Sequence, residues 1–123
     1  MERDTAQRRA VRKAVESAGR PLDAGEVQKA GRRWCKTLGQ ATVYRALSDG
    51  VEAGWLRPVS MPEGPTRYEL ADLPHHHHFE CVKCHRVFDV EGCPGGLKGL
   101  VPEGFTLESH EVLLYGRCSK CAA

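Results

Sequence analysis

No apolar run in this 123-residue chain approaches the length of a membrane span. The N-terminus, Met1-Glu2-Arg3-Asp4, is charged and lacks the apolar segment of a secretory signal. The expectation is a cytoplasmic chain with no membrane partner, whose thiols stay reduced. There is no internal repeat, which excludes solenoids and propellers. No His-Glu-x-x-His helix or similar motif offers a catalytic zinc and its general base, so neither an enzyme nor a small organic substrate is expected. Net charge is only +2, which by itself points to no polyanionic partner. Its distribution says more. Residues 1–57 carry twelve Lys/Arg against seven Asp/Glu, and residues 58–123 carry six against nine. A basic front half suits a polyanion and an acidic, Cys/His-rich back half suits cations.

What the back half has is two Cys-x-x-Cys pairs, Cys81/Cys84 and Cys118/Cys121, with His75-His76-His77-His78 running into the first. Reduced thiols in two such pairs make a closed tetrahedral site, the arrangement a structural Zn²⁺ prefers. Four histidines are too many for that one ion. On an extended segment alternate side chains face opposite ways, so His76 and His78 can serve one further site and His75 and His77 another.

The front half reads as helices. In residues 5–18, Ala10, Val11, Ala14, Val15 and Ala18 share a face; Asp4 or Thr5 can cap this helix and Gly19 end it. Asp23 with Glu26 resembles a capping box that opens a second helix through about Ala30. Leu38–Gly50 reads as a third, extended toward Gly54, with Val43, Ala46 and Leu47 inward and Gln40, Thr42 and Arg45 pointing elsewhere. Two strands, 55–60 and 66–70, follow around a Pro/Gly turn. Three helices and a hairpin outline a winged helix-turn-helix. After a hinge at 71–74, strands are expected at 79–81 and 86–90. A glycine-rich stretch comes next, with at most a short helix near 97–101, then a closing strand pair at 105–110 and 111–115.

In this order the pieces resemble the ferric uptake regulator family of metal-sensing repressors. The resemblance rests on Ala41-Thr42-Val43-Tyr44-Arg45-Ala46-Leu47, Arg67-Tyr68-Glu69-Leu70, the His run into Cys81-x-x-Cys84, Gly104-Phe105, His110, and Tyr115-Gly116-x-Cys118-x-x-Cys121. It implies an α+β chain: a winged-helix DNA-binding domain over 1–70, a hinge over 71–74 and a small α/β metal-binding dimerisation domain over 75–123. The implied partners are operator DNA and a second copy of the chain. It further implies Cys81, Cys84, Cys118 and Cys121 as ligands of structural zinc, and Glu69, His76 and His78 as a sensory site at the hinge. His75, His77 and His110 form a second site, and Tyr44 and Arg45, with Gln40 and Thr42 beside them, face DNA.

The chain also departs from the family pattern. Arg20-Pro21 stands where many members have a ligand histidine, and Gly96 stands where the second site has a glutamate. Cys93 or Glu91 are the candidates to replace that glutamate, and His85 is read as a surface residue. Imidazole and thiolate favour Zn²⁺ over Fe²⁺ or Mn²⁺ as the regulatory ion, which suggests the zinc uptake regulator branch. The rival is a zinc-ribbon metallochaperone or maturation factor that does not bind DNA.

Overall fold

The computed structural model describes residues 5–74, 76–93 and 95–122. The chain divides into two compact units, Met1–Leu73 and Pro74–Ala123.

In the first unit, helix α1 (Ala6–Ala18) starts where Thr5 Oγ1 accepts from the Arg8 N–H at 3.1 Å and stops at Gly19, whose φ of 67° is left-handed. Its Ala10, Val11, Ala14 and Val15 stripe is buried. A two-residue strand, β1 (Leu22–Asp23), precedes α2 (Ala24–Gly31). The Asp23 capping box is complete: Asp23 Oδ1 accepts from Glu26 N at 2.8 Å, and Glu26 Oε1 accepts from Asp23 N at 3.1 Å. Helix α3 spans Gln40–Ala53. It begins two residues later than the sequence suggests, because Gly39 is extended (φ −93°, ψ 158°) and Leu38 is fully buried ahead of the helix rather than within it. Gly31 makes this packing possible, since a Cβ there would lie 2.6 Å from Leu38 Cδ2 and 3.4 Å from the Ala10 carbonyl oxygen. The core is Val11, Val15, Leu22, Val27, Leu38, Val43, Leu47 and Leu56 with alanines between them.

Strands β2 (Leu56–Val59) and β3 (Arg67–Leu70) are antiparallel, and β1 adds to the other edge of β3, giving the order β1-β3-β2. The unit is a winged helix-turn-helix. Strand β1 was not foreseen: two residues carry no period, and only the Leu22–Tyr68 and Asp23–Arg67 pairings define it.

The second unit is a three-stranded sheet of order β5-β4-β6, with β4 (His77–Cys81), β5 (Val87–Val90) and β6 (Leu113–Gly116). Strands β4 and β5 are antiparallel around the Cys81/Cys84 knuckle, with His78 opposite Asp89. Strand β6 runs parallel to β4, with His78 opposite Leu113. The expected strand at 105–110 is absent, and with it the closing hairpin. His110 and Glu111 abut with no turn residues to reverse the chain, Phe105 stays exposed, and β6 finds its partner in β4. Between β5 and β6 there is only a 3₁₀ turn, Leu97–Leu100. Among the described residues no helix is long and apolar enough to cross a membrane.

Candidate metal centres and nucleic-acid face

Local geometry brings the four knuckle sulfurs together. The Cys81 carbonyl accepts from His85 N at 2.8 Å, and Cys81 N donates to the Arg86 carbonyl at 3.0 Å. His85, at φ 65°, takes the left-handed turn between them and is exposed. At the other pair, Cys121 and Ala122 N–H groups donate to the Cys118 carbonyl. Sγ of Cys84 lies 3.8 Å from Sγ of Cys118, and all four sulfurs lie within 4.8 Å of one another. Zinc–sulfur bonds of about 2.3 Å in a tetrahedron set sulfur edges of about 3.8 Å, so the four residues fit structural zinc.

The electrostatics favour thiolate at Cys81 and Cys118. The Cys84 backbone N–H, followed by that of Cys118, pulls the Cys81 thiol from 9.0 to about 5. Burial pushes Cys118 up, but the Cys121 and Lys120 N–H groups bring it below its usual value. Next to these sulfurs, and above all to Cys118, Cys121 is pushed up to about 12. Four sulfurs cannot all hold negative charge at this spacing without a cation between them.

The two sides of β4 carry two more clusters. On one side His76 Nε2 lies 3.3 Å and His78 Nε2 3.6 Å from Asp89 Oδ1, with the two rings edge to face at 4.8 Å. The Pro74 carbonyl lies 2.7 Å from His76 Nδ1. A carbonyl only accepts, so Nδ1 carries the proton and Nε2 presents its lone pair to the carboxylate. Two acceptors facing each other call for a proton or a metal ion between them, and a carbonyl behind the ring is how ligating histidines are oriented. Asp89 escaped the sequence reading.

On the other side buried His77 meets Cys93 and His110. Cys93 Sγ is 3.4 Å from His77 Nε2 and 2.8 Å from His110 Nε2, and the rings are 5.1 Å apart. The Val112 N–H donates to His77 Nδ1 at 3.0 Å, which turns Nε2 toward the sulfur. With Nδ1 accepting, the neutral ring keeps its proton on Nε2. To hold an ion through Nε2, the neutral ring would carry its proton on Nδ1 instead, in place of the Val112 bond. Cys93 thus stands in the cluster, while Glu91 and Gly96 do not. His75 lies outside the described residues. Glu69 belongs to the first unit, where Arg57 Nε donates to its Oε2 at 3.0 Å and Arg57 Nη2 bonds the same oxygen.

On α3, Val43, Ala46, Leu47 and Gly50 are buried, while Gln40, Tyr44 and Arg45 are exposed and Thr42 is half-buried. Arg45 Nη2 donates to Thr42 Oγ1 at 3.2 Å. Gln40, Tyr44 and Arg45 therefore stand on the solvent side of α3.

Comparison with known proteins agrees with this architecture. The ferric uptake regulation protein of Bordetella parapertussis is 37% identical over 107 residues, which is 83% of this chain and 76% of that protein. The ferric uptake regulator of Francisella tularensis, solved with iron, superposes with a TM-score of 0.75 at 25% identity, covering 99% of this chain and 96% of that one. A zinc-bound manganese uptake regulator superposes with a TM-score of 0.81 at 25% identity, over 95% and 91%. Matching the family's pattern over residues 2–115, the chain belongs to the ferric uptake regulator family, whose members are dimeric, metal-binding, DNA-binding regulators of transcription and not enzymes.

Proposed function

We propose that this chain is a cytoplasmic metal-responsive repressor that binds operator DNA as a homodimer when its sensory site is loaded. One observation carries the reading: β4 has imidazoles on both sides, each side meeting a further ligand, Asp89 on one and Cys93 on the other. Neither cluster is needed to close the four-sulfur site. In this reading Cys81, Cys84, Cys118 and Cys121 hold a permanent Zn²⁺. His76, His78 and Asp89 bind the sensory ion together with Glu69 of the wing's last strand. An ion held by ligands from both units fixes how the recognition helices of a dimer are spaced, and so favours one of two states. Exposed Leu100, Phe105, Leu114 and Tyr115 offer the apolar surface that a second copy would cover.

His77, His110 and Cys93, with His75, form the second site, whose thiolate and imidazole donors suit Zn²⁺. On that ground zinc is the regulatory ion we propose, which argues for the zinc uptake branch. Asp89 and Glu69 make the sensory site a mixed N/O set, so Fe²⁺ and Mn²⁺ are the ions to test beside zinc. Gln40, Thr42, Tyr44 and Arg45 read the operator. A metallochaperone would have no use for an exposed Tyr44 and Arg45 on a winged helix. The test is titration of Zn²⁺, Fe²⁺ and Mn²⁺ against binding to a duplex selected from a random pool, for wild type and His78→Ala. Wild type should bind only with metal, and His78→Ala should keep its dimer and its structural zinc yet lose the response. Equal responses from both proteins would sink the switch.

A further inference from the structure

Between Glu26 and Asp49 the chain has no acidic residue, and within those positions it carries Lys29, Arg32, Arg33, Lys36 and Arg45. Most of the first unit's other arginines are neutralised. Arg8 pairs with Asp49 at 2.5 Å, Arg12 with Glu16 at 3.3 Å, Arg20 with Glu26 at 2.7 Å, and Arg57 with Glu69. None of the five in the carboxylate-free segment makes an ion pair among the described residues. Unpaired positive charge is therefore concentrated in one stretch, and three of its members sit in the turn that leads into α3.

That turn is ordered. Trp34 N and Cys35 N both donate to the Gly31 carbonyl, at 3.0 and 3.1 Å, and Leu38 N donates to the Cys35 carbonyl at 3.1 Å. Arg32 Nε donates to the Leu38 carbonyl at 3.3 Å, tying the start of the turn to its end. Arg33, Trp34 and Lys36 are exposed. The Arg33 guanidinium lies over the Trp34 ring, 5.1 Å from its centroid, so a long, flexible side chain is held by a rigid apolar plate. A tryptophan 39% exposed at a basic turn serves no packing need of the core, whose residues are all accounted for without it.

We infer that the turn 32–37 is a phosphate-binding element in its own right: Arg33, positioned on Trp34, and Lys36 take the DNA backbone beside the groove that α3 enters. This rests on the DNA-binding reading above and adds to it contacts outside the recognition helix. Such contacts fix register and supply affinity but carry no sequence information.

The test measures binding of full-length, zinc-loaded protein to two fluorescein-labelled duplexes, one selected from a random pool by wild type and one of scrambled sequence, across a salt series. For every DNA phosphate that the protein ceases to neutralise, the slope of log K against log salt should flatten by about 0.9. Arg33→Ala/Lys36→Ala should therefore lower the slope by about 1.8, weaken both duplexes by the same factor, and leave their affinity ratio unchanged. Trp34→Ala should flatten the slope by less, with both charges kept. Arg45→Ala should instead shrink the ratio between duplexes. Lys98→Ala, on the 3₁₀ turn of the other unit, controls for net charge and should change nothing.

An unaltered slope in a folded Arg33→Ala/Lys36→Ala protein overturns the inference while leaving the DNA-binding reading intact. An equal drop for Lys98→Ala overturns it too. Failure of wild type to bind either duplex removes both readings together.

Discussion

The two units are held together by different means. The first buries a continuous cluster from Ala10 to Leu56, drawn from three helices, two strands and the turn before α3. In the second, the buried residues among those described are His77, Cys81, Val87 and Cys118: one aliphatic side chain, two prospective zinc ligands and a histidine. A sheet this small cannot offset its own conformational entropy by apolar burial. Where the apolar core is this small, the four clustered sulfurs are placed to add stability by binding an ion. One unit is thus organised around an apolar core, and the other around prospective ion ligands.

The sharpest way to break that contrast is to remove the sulfurs. Cys81→Ser/Cys121→Ser should lose one zinc per chain by native mass spectrometry and unfold the second unit. Structural zinc contributes about 10–16 kcal/mol, and the first unit should keep its helical circular dichroism. A double variant that melts like wild type would overturn the four-sulfur assignment.

Acid should act in the same place. Cys81 is depressed to about 5, so its thiolate, and the stability it contributes, is complete above the ordinary thiol value and vanishes as pH falls through about 5. A bound cation pushes the loss lower still. Zinc release followed by a chromogenic chelator should therefore begin only below that pH, with the helical signal outlasting it.

The first unit should answer to ordinary core damage instead. Leu47→Ala, at a fully buried position, should cost about 2–5 kcal/mol in chemical denaturation of the helical signal while the zinc count stays at wild type. Smallest of all, Asp23→Ala removes one half of a complete capping box and should cost about 0.5–2 kcal/mol, again without touching metal. Loss of zinc in either helical variant would mean that the two units are not independent.

The same contrast governs what could be read from sequence. The helices were legible because their stripes repeat and their ends are marked by Thr5, Gly19 and Asp23 with Glu26. The four cysteines were legible because spacing alone defines the site. Asp89 was missed because a single carboxylate between apolar neighbours has no signature. Its role follows from register, and the register follows from the knuckle. Once Cys81 N is bonded to the Arg86 carbonyl, counting back along both strands sets His78 against Asp89. Strand β1 was invisible at two residues. The strand expected at 105–110 failed for the opposite reason: Phe105 and Leu107 alternate as a strand would, but no neighbour lies in register to receive them, and both remain exposed.

β4 itself has a final consequence. His76 and His78 serve one prospective site and His77 the other, so adjacent residues on one backbone answer to two ions. A strand advances only about 3.3 Å per residue, and fixing His77 leaves its neighbours little freedom. The first ion to bind therefore bears most of the entropy of ordering that segment, and the second meets histidines already in place. Affinities at the two sites are then linked with no contact between the ions, and a titration of either should reach its midpoint at a lower ion concentration when the other is filled.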